Sequence, residues 1–122
     1  MNILTIDDAR FQRGQMVRML TEMGHSVKEA VNGQDGFMTM LQDVPDVVIC
    51  DLLMPVLDGF ALLALVQKHQ IDIPVIIVSA DVQESSRQEC LRLGARAFLN
   101  KPCKRDELEQ ILKALEAERS AE

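Results

Sequence analysis

The sequence predicts an α/β domain, a parallel sheet with helices on both faces. Three observations carry this reading. Short apolar runs alternate with longer stretches whose apolar residues recur at helical spacing, five times over. Two of the short runs, "DVVIC" and "PVIIVSA", are nearly continuous in apolar residues, as strands buried on both faces are. Turn and capping residues stand at the junctions between the two kinds of segment.

The first strand is "NILTI", running into Asp7. A helix follows, with Val17, Leu20 and Met23 on one face and Gly24 in place to cap its C-terminus. The second strand lies in "HSVKEAV", and Asn32-Gly33 opens the second helix, whose apolar face is marked by Phe37, Met40 and Leu41. The third strand is "DVVIC", ending at Asp51. Asp58 is placed to cap the third helix, where Leu62, Leu65 and Val66 form the inward face. Pro74 begins the fourth strand, "PVIIVSA", at a position where its missing N–H matters least. Gly94 closes the fourth helix, and "ARAFLN" is the fifth strand, broken by Lys101-Pro102. In the last helix Leu108, Ile111, Leu112 and Leu115 follow the i, i+3, i+4, i+7 pattern. Five β–α units of this kind require right-handed crossovers.

A chain of 122 residues is the size of one domain, taken as 1–122, and buries roughly two thirds of its unfolded surface. With no Trp or Tyr, its core must be aliphatic. The net charge of −6 argues against nucleic acid and against an anionic membrane surface as partners. No apolar run approaches the ~18 residues of a membrane span, and no signal peptide is seen. Cys50, Cys90 and Cys103 have neither a disulfide framework nor zinc spacing, so reduced thiols in the cytoplasm are expected.

In such sheets the site lies beyond the carboxyl ends of the strands. Asp7 and Asp8 end the first strand, Asp51 the third, Ser79 and Ala80 the fourth, and Asn100 and Lys101 the fifth. Three converging carboxylates repel each other, by about 4 kcal/mol per close pair near a protein surface. A divalent cation and an ammonium offset that. An all-oxygen set with few protein donors suits Mg2+, with Mn2+ as a substitute. Asp51 as nucleophile, Lys101 as ammonium and Ser79 as hydroxyl then form a phosphoryl-transfer apparatus.

Taken together, Asp7-Asp8, Asp51 with Met54-Pro55, Asp58-Gly59, Ser79-Ala80 and Lys101-Pro102 resemble the receiver domain of two-component response regulators. The resemblance covers nearly the whole chain. It implies a flavodoxin-like (βα)5 three-layer sandwich with strand order 2-1-3-4-5. It implies phosphorylation of Asp51 by a sensor histidine kinase, a phosphotransfer protein or a small phosphodonor. Asp8, Asp51 and the backbone carbonyl of Leu53 would bind Mg2+ directly, and Asp7 through water. Ser79 and Phe98 would be the switch pair, and Lys101-Pro102 would be cis. Output would pass through the face of the fourth helix, fifth strand and fifth helix, here Arg87, Cys90, Leu91, Arg96 and Lys104, to a partner protein. A monomer or a phosphorylation-induced dimer fits, and no DNA-binding output domain is read in the chain.

Three positions depart from the family pattern: Ser79 stands where Thr is commoner, which keeps the hydroxyl and loses a methyl, and Leu53 and Phe98 differ as well. Leu53 stands where relatives often carry a polar residue that handles the hydrolytic water, and Asp81 is left as the group able to orient or repel it. Phe98 stands where Tyr would bring a hydroxyl. A receiver cut from a longer regulator would read the same. A haloacid-dehalogenase-like phosphohydrolase is the rival enzyme reading, but that family needs a DxD motif on the first strand, whereas here the acids are adjacent. His25 and His69 are expected at the surface, and Cys103 is expected to be the most exposed cysteine.

Overall fold

The computed structural model describes residues 1–121. It contains β1 (Asn2–Ile6), α1 (Arg10–Glu22), β2 (Ser26–Ala30), α2 (Gly33–Gln42) and β3 (Val47–Asp51). These are followed by α3 (Gly59–Lys68), β4 (Val75–Ser79), α4 (Glu84–Arg92), β5 (Ala97–Asn100) and α5 (Arg105–Ser120). The five strands are parallel, in the order β2-β1-β3-β4-β5.

Side chains alternate across a strand, so the sheet sorts its residues by parity. Leu4, Ile6, Val48, Cys50 and Ile77 point to one face and pack with Met40 of α2, Leu62, Leu63 and Val66 of α3, and Cys90 of α4. Ile3, Val47, Ile49, Ile76, Val78 and Leu99 point to the other and pack with Leu20 of α1 and Leu108, Leu112 and Leu115 of α5. Each face is thereby removed from water, which is the main stabilising term of such a sandwich.

The local signals behave as capping chemistry requires. Asn32 accepts from the Asp35 amide at 2.8 Å and Asp58 from the Ala61 amide at 2.9 Å, each supplying an acceptor to an orphan N–H of a first turn. Gly24 and Gly94 take φ of +95° and +100° where α1 and α4 end. The Lys101-Pro102 bond is cis, as the family resemblance implied.

Five expectations are corrected. Leu41, Val17 and Leu65 do not carry their helices' inward faces: Leu41 is exposed, Met16, Met19, Leu20 and Met23 carry that of α1, and Leu62, Leu63 and Val66 that of α3. Cys90, expected on the output surface, is fully buried under α4, and burial raises its thiol pKa to about 11. The His25 side chain is only 9% exposed, with Nδ1 3.0 Å from the Met1 ammonium and 3.9 Å from Glu116. Burial is the first cause lowering its pKa. His69 is exposed as expected, and Cys103 is the least buried of the three cysteines.

Candidate functional site

The sheet register builds the site. Ile6 pairs with Cys50, so the next residues, Asp7 and Asp51, leave β1 and β3 at the same level. Asp51 pairs with Val78 and Ser79 with Asn100, which brings Ser79 and Lys101 to the same edge. Asp51 shares the parity of Val47 and Ile49, and Lys101 that of Leu99, so both lean toward the α1/α5 side. Ser79 and Phe98 share the opposite parity, with Ile77, and face α4.

Carboxylate oxygens of Asp7, Asp8 and Asp51 all lie within 4.8 Å of one another. Lys101 Nζ stands 3.1 Å from Asp51 Oδ1 and 3.5 Å from Asp7 Oδ2. Burial pushes the Asp51 carboxyl above its ordinary pKa, Lys101 pulls it back, and Asp7 raises it again. One ammonium against three carboxylates leaves an excess of two negative charges, the charge of the divalent cation that an all-oxygen donor set favours.

Asp7 is held by its own loop: its Oδ1 accepts from the Ala9 amide at 2.9 Å, and its carbonyl accepts from Arg13 at 2.9 Å. Leu52 is buried beneath Asp51, and its carbonyl accepts from the Gly59 amide at 2.7 Å. A Cβ on Gly59 would come within 2.9 Å of Leu52 Cα, so only glycine lets α3 start this close to β3. The intervening loop is strained: Val56, β-branched, has φ +72°, which costs about 1–3 kcal/mol.

Leu53 is 59% exposed beside the acids. The Ser79 hydroxyl accepts from the Asp81 amide at 3.0 Å, and Phe98 is partly buried against the α2/α3/α4 core. The Asp81 carboxylate accepts from Ser86 at 2.6 Å and from the Gln83 amide at 2.9 Å, and the first of these bonds lowers its pKa. In this state it is committed to the start of α4. Asn100 turns away from the acids and donates to the Asp81 carbonyl at 3.2 Å. Sequence reasoning missed two residues here. Arg13 ties the end of β1 to Glu29, and Gln12 accepts from Lys101 Nζ at 2.8 Å. The latter pair is 89 positions apart, and nothing local marks it.

Residues 3–113 match the family model described as "Response regulator receiver domain". The chain belongs to that family. As a receiver domain it is 40% identical over 117 residues to protein PilH of Pseudomonas aeruginosa, covering 94% of each chain. Other relatives are longer: it spans 12% of the sensor histidine kinase RcsC of Escherichia coli, at 33% identity. Among solved structures, the Francisella response regulator 1452 receiver domain superposes with TM-score 0.88 at 31% identity, over 93% of this chain and 94% of that one. The chemotaxis protein CheY4 of Vibrio cholerae gives 0.85 at 25%, over 93% and 97%. The receiver assignment sets the phosphohydrolase reading aside, and makes the chain a signalling switch of two-component systems rather than an enzyme acting on a separate substrate. No helix among the described residues is long and apolar enough to cross a membrane.

Proposed function

We infer that this receiver is switched by a phosphoryl group taken onto Asp51. The observation that carries the reading is Lys101 Nζ at 3.1 Å from Asp51 inside a three-acid cluster. Asp7, Asp8 and Asp51, with the Leu53 carbonyl, would hold Mg2+ or Mn2+. Bound there, the cation supplies positive charge to the phosphoryl oxygens.

An Asp51 carboxylate oxygen attacks phosphorus, and the bond from phosphorus to the donor's histidine nitrogen, or to a small donor's leaving group, breaks with its electron pair staying on the donor. Lys101 donates to a phosphoryl oxygen, and the Ser79 hydroxyl is free to turn from accepting the Asp81 amide to donating to another. Because Phe98 lies on the same side of the sheet as Ser79, that movement would reach the α4-β5-α5 face, where Arg87, Leu91, Arg96 and Lys104 would meet an output partner. Phe11 in the first turn of α1 and Leu53, Val56 and Val82 on the loops after β3 and β4 are exposed, apolar surface suited to a docking kinase or phosphotransfer protein. The setting on this reading is the cytoplasm, which suits three free cysteines.

Incubation with acetyl phosphate and Mg2+ should add one phosphoryl mass, located on Asp51 by peptide mapping. Removing the divalent cation with EDTA should abolish it. Labelling that survives EDTA, or that maps elsewhere, contradicts the reading. The Leu53 side chain carries no hydrogen-bonding group, so Leu53→Asn should change the lifetime of the phosphorylated protein several-fold, about 3-fold or more. Equal decay rates by phosphate-release assay would remove Leu53 from control of the water.

A further inference from the structure

We propose that Gln12 is a positioning residue for Lys101, holding the ammonium at Asp51 before a phosphoryl group arrives. The inference rests on the phosphoacceptor reading above.

Lysine is a point charge on a flexible four-carbon stem, and holding it in one place costs conformational entropy. Its ammonium has three N–H donors. Three oxygens surround Lys101 Nζ: Gln12 Oε1 at 2.8 Å, Asp51 Oδ1 at 3.1 Å and Asp7 Oδ2 at 3.5 Å. The shortest contact is therefore to the neutral partner. The other two belong to the acid cluster, whose oxygens a cation would draw on. The Gln12 amide is outside that cluster, so it keeps its hold on Lys101 when the carboxylates are otherwise engaged.

Neutrality matters as well. A carboxylate at this position would hold the ammonium but add a fourth negative charge where an anionic phosphoryl group must enter. An amide oxygen orients Lys101 without that penalty. The first turn of α1 that carries Gln12 is itself anchored, because Arg13 donates to the Asp7 carbonyl at 2.9 Å and pairs with Glu29 at 3.0 Å. Gln12 thus projects from a fixed support onto the far end of the lysine.

The test uses the whole chain with saturating Mg2+ and acetyl phosphate. It reads the phosphorylation rate constant, the Mg2+ half-saturation, the thermal midpoint and the order of the Lys101 side chain by NMR. Gln12→Met keeps length and loses the acceptor. It should slow phosphorylation about 3- to 10-fold and mobilise Lys101, leaving the thermal midpoint and Mg2+ half-saturation unchanged. Gln12→Glu should restore the order of Lys101 but not the rate. Phosphorylation of Gln12→Met at the wild-type rate overturns the proposal, as does slowing with Lys101 still ordered or with a lowered thermal midpoint. Failure of the wild-type protein to label at all would instead sink the assignment of Asp51, and this inference with it.

Discussion

Asp51→Asn is expected to leave the protein unlabelled by acetyl phosphate and Mg2+, a fall of at least about 100-fold in rate, since an amide is no nucleophile for phosphorus. The substitution also removes a third of the acid cluster and the nearer of the two carboxylates facing Lys101. Mg2+ half-saturation should therefore rise. The same change should leave the thermal midpoint in EDTA no lower than that of the wild type. The raised pKa of Asp51 means that burial and Asp7 together disfavour its charged form more than Lys101 favours it. The neutral amide introduced by Asp51→Asn escapes that cost. Phosphate measured by mass and by hydroxylamine release checks the first result, and a thermal melt checks the last. Full labelling of the variant would remove Asp51 as the acceptor; a label transferred to Asp7 or Asp8 would show that the cluster, rather than one residue, is reactive.

Leu52→Ala and Leu53→Ala should separate sharply, although the two residues are adjacent and alike in sequence. Leu52 is fully buried, packed in the core between the sheet and α2, α3 and α4. Truncating it removes buried carbons and leaves a cavity, and its backbone is pinned by bonds from its amide to the Val78 carbonyl and from the Gly59 amide to its own carbonyl. The site cannot collapse freely, so the expected loss is about 2–5 kcal/mol. Leu53 points outward, and Leu53→Ala should stay within about 0.5 kcal/mol. Urea unfolding decides: a loss below about 1 kcal/mol for Leu52→Ala would mean that the β3–α3 junction is not close-packed.

The element order was legible because its signals are local. The alternating apolar runs marked strands, and Asn32, Asp58, Gly24 and Gly94 carry capping chemistry that acts within a few residues of chain. The acids at strand ends were legible for the same reason, since a charged residue at the crest of an apolar run marks where burial stops. The strand order came only from the family resemblance. Periodicity went wrong where a helix faces solvent through an apolar residue, as at Leu41, and the surface expectation for His25, a polar residue just past a helix end, failed because the chain terminus and α5 cover it.

By itself, then, the sequence determined five β–α units, an aliphatic core and an acidic, lysine-bearing carboxyl edge. Tertiary structure alone decided which side of the sheet each group takes. Register aligns Asp7 with Asp51 and sets Lys101 beside them on the α1/α5 side, while Ser79 and Phe98 face α4. It also buried Cys90 and brought Gln12 within 2.8 Å of Lys101. Such contacts join residues far apart in the chain, and their geometry is set by how strands pair and helices pack rather than by the residues next to them in sequence.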